Sequence, residues 1–213
     1  MSAVIETSPL LSDILAAIEP NDGLKAEAFT VLEQLGLPGN KSEEYKFTPI
    51  TRALEKNFNF AIKNNTSELN RIDSFVIPGI DAHIIVFVNG VFAEELSHYD
   101  QTDLMITPTS GKENGFGTIA DFKSDALVAW NTAAWTSGIS IDVKANTTVS
   151  KPVVLHYIQD TSKGEAKSFI RNMIRLGKSS SLTVIEKQDT LGDQAGFSNI
   201  VTESFVEENA ALN

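Results

Sequence analysis

The sequence predicts a mainly β protein with an α-helical N-terminal region: the start of a right-handed parallel β-helix, a β-solenoid, preceded by an α+β domain. Three observations carry that expectation. One short phrase is written three times in the last third of the chain, as DVKANTTV from Asp142, RLGKSSSL from Arg175 and FVEENAAL from Phe205. Each copy holds an apolar residue (Val143, Leu176, Val206), then a polar break, then a second apolar residue (Val149, Leu182, Leu212). The copies are offset by 33 and then 30 residues, a period at which stacked units bury their inner faces against their neighbours. Second, alternation in GISIDV puts Ile139, Ile141 and Val143 on one face and leaves Ser140 and Asp142 to solvent. Third, IIVFVNGVFAEEL sets Asn89-Gly90 between apolar runs, the pair a type I′ hairpin prefers because both central residues need positive φ.

Two regions follow. Residues 1–137 form the α+β part, with helices within about 8–60, a hairpin at about 83–97 and a helix at about 119–135; residues 138–213 form the first coils of the β-helix, cut short after Leu212. Ser8-Pro9 opens a helix carrying Leu10, Leu11, Ile14, Leu15 and Ile18 at helical spacing, ended by Pro20 and Asn21. A second helix runs from about Asp22 to Leu35 with Gly36 as its C-terminal cap. A connector rich in Gly, Pro and charge follows, then a short helix from Thr51 to Phe58. In the hairpin, a two-residue loop makes Val88 face Val91 and Phe87 face Phe92; both faces of the ribbon are apolar and should be covered. Leu104 to Thr107 is a candidate strand. The breaks at Asn146-Thr147, Ser179-Ser180 and Asn209-Ala210 suit tight corners, because Asn tolerates left-handed backbone and short hydroxyls satisfy turn amides. An end without a capping segment should let the chain self-associate.

Composition narrows the function classes. With 213 residues, 42% hydrophobic and 21% charged, the chain is an ordinary soluble globular protein. A net charge of −11 with scattered Lys and Arg offers no surface to a phosphate backbone, which argues against nucleic acid. The absence of cysteine removes disulfides, zinc–thiolate sites, a thiolate nucleophile and thiolate ligands for an iron–sulfur cluster on this chain. The opening MSAVIETSPLLSDILAAIEP has no Lys or Arg, and the apolar run Ile84 to Val88 is too short to span a bilayer, so a cytoplasmic protein without membrane contact is expected.

Chemistry-bearing residues are sparse. His83, His98 and His156 fall in no metal-binding spacing, and an isolated strand histidine such as His156 is most simply a packed side chain. Asp100 and Asp103 lack the further oxygen ligands a hard cation needs. Glu43-Glu44, Glu94-Glu95 and Glu207-Glu208 read as solvated faces, and Trp130 and Trp135 as packing residues. Asn65 and Asn146 match glycosylation acceptors but mean little without an export signal. The glycines form no phosphate-binding pattern. No catalytic, cofactor-binding or metal-binding residue is therefore assigned, and the chain reads as a non-enzyme. A carbohydrate-active β-solenoid enzyme would need paired carboxylates in a groove, for which the outward positions supply only Asp142, Arg175 and Glu203. A purely structural interaction module is the remaining alternative.

GLPGNKSEEYKFTPI (Gly36 to Ile50) is similar to the Gly-Leu-Pro segment that leads into Glu-Trp-Lys-Tyr-Thr-Pro in the N-terminal portion of SufD proteins of the SufB/SufD family, with Tyr45 where Trp is usual. ALVAWNTAAWTSGISIDV (Ala126 to Val143), KPVVLHYI and RNMIRLGKSSSLTVIE continue in the same order. The resemblance implies a component of the Suf iron–sulfur cluster assembly complex, partnering a SufB-like protein and a SufC-like ATPase in iron acquisition and nascent cluster assembly. It implies that the cluster is handled by the assembled complex, with the scaffold cysteines on the SufB-like partner. The positions thought to matter in SufD, a histidine late in the β-helix and the helices that dock SufC, lie past Asn213, so none transfers to His83, His98 or His156.

Overall fold

In the computed structural model, which describes residues 8–20, 23–39, 43, 45–61 and 66–213, helix α1 (Pro9–Ala16) starts at Ser8. The Ser8 hydroxyl accepts the Leu11 amide at 3.2 Å, Pro9 takes the first helical position, and the apolar spacing buries Leu10, Leu11 and Ile14. Helix α2 (Gly23–Leu35) ends at Gly36, whose φ of 69° is free of side-chain strain and whose N–H returns to the Leu32 carbonyl at 2.9 Å. Helix α3 (Ile50–Asn57) buries Leu54. Helix α4 (Ala126–Ala134) is shorter than the sequence suggests, because Asp125 accepts the Leu127 and Val128 amides at 2.8 and 2.9 Å and so fixes the N-terminus. Asn21, Asp22, Glu44 and Asn65 lie outside the described residues.

These helices belong to one compact unit, Met1–Lys63 with Ala120–Trp135. Inside it α2 packs on α4, Trp130 meets Phe60 edge-on with centroids 5.2 Å apart, and the Lys25 ammonium lies 4.5 Å above the Trp135 ring.

The second unit, Asn64–Ile119 with Thr136–Asn213, holds the strands. They are β1 (His83–Val88), β2 (Val91–Phe92), β3 (Met105–Pro108), β4 (Ile139–Val143), β5 (Val153–Asp160), β6 (Ala166–Leu176), β7 (Ser181–Leu182), β8 (Val184–Leu191), β9 (Gly196–Val206) and β10 (Ala211–Leu212). The expected right-handed parallel β-helix is corrected here. Among the described residues the strands form two open four-stranded sheets, in the orders β2-β1-β5-β8 and β3-β4-β6-β9, and a two-stranded ribbon of β7 and β10. Both larger sheets mix parallel with antiparallel pairs, and among the described residues no sheet closes into a solenoid and four α-helices accompany the sheets. A coil needs every rung to advance in one sense. Here Asn89-Gly90 reverses the chain within two residues, with φ of 47° and 83°, and β3 meets β4 from the opposite direction.

The repeated phrase instead sets register. Val143 stands opposite Leu176 and Leu176 opposite Val206 in parallel pairs, and the breaks turn through left-handed backbone at Asn146, Ser179 and Asn209. The main core is closed by Ile85, Phe87, Leu155 and Tyr157 with Ile139, Ile141, Ile170 and Ile174. Phe87 stacks on Tyr157 at 5.4 Å and pairs with Phe92 across the hairpin. On the other face of β1 and β5, Val86, Val88 and Ile158 pack with Ile72, Leu96 and Phe75, although Val91 remains 61% exposed, so the second ribbon face is only partly covered. Ser140, expected in solvent, is buried.

Candidate functional site

Strand alternation sends Ile170, Ile174 and Leu176 into the core, so Arg171, Met173 and Arg175 of β6 stand on the opposite face, beside Asp142 of β4 and Glu203 of β9. The glycine-rich stretch 111–119 lies on that face. Glu203 accepts the Gly117 amide on Oε2 and the Ile119 amide on Oε1, each at 2.8 Å, and Arg171 donates to the same Oε2 at 3.0 Å. Phe116 covers the guanidinium, its ring centre 5.3 Å from Cζ. Both side chains of this ion pair are 0% exposed. Such a pair is tolerated only because hydrogen bonds replace the lost water, and it pins the stretch 115–119 to the sheet.

Beyond it, Arg175 forks onto Asp142 with Nε···Oδ1 at 2.5 Å and Nη2···Oδ2 at 3.1 Å, and also donates to Ser140 Oγ and the Asn114 carbonyl. A surface cleft of about 370 Å³ opens there, lined by Asn114, Gly115, Asp142, Arg175, Phe205 and Glu207. Asp142, Arg175 and Glu203 thus enter two separate ion pairs, and the carboxylate of Glu203 is sealed from any sugar. The paired-carboxylate groove of a glycoside hydrolase is not assembled from them.

His156 has a partner that its isolation in sequence conceals. It sits in a row between Val86 of β1 and Lys187 of β8, and its Nε2 lies 2.7 Å from Asp189 Oδ2; Lys187 bonds the same oxygen. Burial holds the imidazole below its ordinary pKa, against the opposing pull of Asp189. For Asp189, burial pushes the carboxyl up, but hydrogen bonds from Lys187 and His156 outweigh it and the carboxyl is lowered. Tyr157, on the core side of β5, is pushed up by burial; Asn172 Nδ2 donates to its oxygen at 2.9 Å.

The remaining sequence candidates are scattered. His83 Nδ1 accepts the Asp100 amide at 3.4 Å, while His98 is joined to Ile84 through backbone bonds. Asp100 folds onto its own Thr102 amide and Lys151 pairs with Asp81 at 2.9 Å, so an ammonium already occupies that neighbourhood. Glu94 and Glu95 fall in a 3₁₀ turn, and Glu207 and Glu208 bond the Lys178 amide and ammonium. Among the described residues no group of three or more His, Cys, Asp or Glu could hold a metal ion, and no helix is long and apolar enough to cross a membrane. In the helical unit, Tyr45 donates to Asp125 Oδ2 at 2.8 Å, tying the connector to the α4 cap.

Sequence reasoning passed over Arg171, Lys187 and Asp189. The signal was present in part: Asp142 and Arg175 are 33 residues apart, the offset of the first two repeats, whereas His156 to Asp189 (33) and Arg171 to Glu203 (32) each reach two residues past the direct strand partners, Lys187 and Val201.

A family model described as the SufBD protein N-terminal region matches residues 16–155. The chain belongs to the SufBD family. The matched stretch takes in Tyr45, Asp125 and strands β1 to β4, and stops one residue before His156. The "Iron-sulfur cluster assembly SufBD family protein" of Synechocystis sp. is 24% identical over 204 residues, which cover 87% of this chain and 44% of that relative. This SufBD chain therefore spans less than half the length of the curated relative it matches.

Proposed function

We propose that this SufBD-family chain serves iron–sulfur cluster assembly as a SufD-like, non-catalytic partner of a SufB-like scaffold and a SufC-like ATPase. The observation that carries this reading is the family match over residues 16–155 in a stretch of 213 residues without a cysteine. Clusters are held by thiolates, so residues 1–213, which have none, leave ligation to other parts of the assembly and contribute surface instead. Iron and the nascent cluster are cargo of the assembled complex, in the cytoplasm. The resemblance of Gly36 to Ile50 and the three later segments to SufD favours the SufD side over the SufB side, although Tyr45 departs from the usual Trp.

The test is anaerobic co-expression with SufB-like and SufC-like proteins. The chain is expected to co-purify with them, and cluster absorbance after addition of ferrous iron and sulfide should follow the SufB-like protein. A stoichiometric cluster on residues 1–213 alone, or failure to co-purify with either protein, would overturn the reading.

A further inference from the structure

We propose that His156 and the strap of residues 66–81 form a pH-sensitive latch, in which a proton gained by His156 loosens the strap from the apolar outer face of β1 and β5. The strap is held by side chains rather than by a ladder. Among the described residues its own backbone bonding comes down to the Phe75 amide on the Ile72 carbonyl at 2.8 Å. Ile72 and Phe75 pack on Val86, Val88 and Ile158, and the strap's start is clamped by Lys163 on Glu68 and by Ser67 on Asp160, each at 2.5 Å. Segments held this way open at low free-energy cost compared with core strands.

His156 lies under that cover. It is 1% exposed, and the Phe75 ring meets the imidazole edge-on at 6.2 Å. The charged groups that face it are Lys187 and Asp189 of β8; further along the same face of β5 stands Asp160, held by Ser67 and Ser162. From β1 it meets Val86, from the strap Phe75, and the strap's own Arg71 and Asp73 pair with each other in solvent. When neutral, the imidazole donates from Nε2 to Asp189. When protonated, it becomes a second cation on a carboxylate that Lys187 already neutralises, its own side chain only 2% exposed while Lys187 and Asp189 are 24% and 26% exposed. The imidazolium reaches water by displacing Phe75, and the strap goes with it. The depressed pKa of the imidazole agrees with this cost.

The chain has no cysteine, so Ile158→Cys places a single thiol beneath the strap. Its labelling rate with dithiodipyridine is measured against the urea-unfolded chain at each pH. The normalised rate should rise about fivefold or more between about pH 7.5 and about pH 5.5, around the histidine range. In the His156→Gln background it should stay flat, and in Asp189→Asn the rise should move to lower pH, because the carboxylate that favours the imidazolium is gone. A flat rate in the parent, or an equal rise with His156→Gln, overturns the latch. Should those variants not fold, the labelling midpoint of the parent is compared with the NMR titration of His156: coincidence supports the latch, and a separation above about one pH unit overturns it.

Discussion

At Gly138 an added methyl group would fall 1.8 Å from the Arg171 carbonyl oxygen, and at Gly115, where φ is 83°, it would fall 2.4 Å from the Phe205 ring. A backbone carbonyl in a paired strand has nowhere to go, whereas a ring can swing. Alanine at 138 should therefore cost more than alanine at 115, for which about 1–3 kcal/mol is expected from strain. Alanine at Gly23, with nothing within 4 Å, should be neutral or slightly stabilising. Urea midpoints that do not follow this order would contradict the packing. The buried pair gives a second contrast. Arg171→Met strands the Glu203 carboxylate and should lower stability by about 3–5 kcal/mol, while Arg175→Ser breaks a pair whose side chains are 29% and 25% exposed and should cost about 1 kcal/mol or less. The outward position of Arg175 was legible from alternation alone, but its contact with Asp142 was not, because partners across strands are invisible until register is known.

Between elements, register was the part the sequence disclosed. The period of the phrase put Val143, Leu176 and Val206 in one column, and the structure pairs them so. Burial differs along the column: Leu176 is 1% exposed and Val206 is 45% exposed. Leu176→Asp should then lose several kcal/mol through a buried unpaired carboxylate, and Val206→Asp under about 0.5 kcal/mol, both read by chemical denaturation. Equal losses would mean that the column is wrong. The closed coil was misread because alternation tells which face is apolar but not which edge receives the next strand or from which direction. The hairpin was legible for the opposite reason, since two residues with positive φ determine its register locally. The α4 start at Asp125 was missed because the apolar pattern of residues 119–135 runs on through a segment that Asp121 folds back, by accepting from the Lys123 amide and the Ser124 hydroxyl.

For the whole molecule, stability should fall on acidification in two stages. Burial lowers the His156 pKa in the folded chain, so the unfolded chain binds the proton more readily; the stabilisation is complete above about pH 6.5 and is lost as pH falls from there through the folded pKa. Asp189 is lowered too, so its contribution is present above about pH 4 and is lost as pH falls through its folded value. Urea midpoints against pH should show both stages, and His156→Gln should remove the first. A midpoint that is flat from neutral to about pH 5 would contradict the burial of a neutral imidazole.

The cross-strand pairs Asp142–Arg175, His156–Asp189 and Arg171–Glu203, with Lys178–Glu208 at the corners, also decide where this chain can gain or lose a residue. One amino acid inserted beside Gly164, which has open space around it, leaves every partner opposite its mate, because the loop absorbs the extra length. The same insertion after Asn172 turns the rest of β6 over: Arg175 would point at Ile141 and Leu155, and Leu176 at water. Length variation among descendants of such a chain is thereby confined to its corners, and the strands can change their letters but not their count.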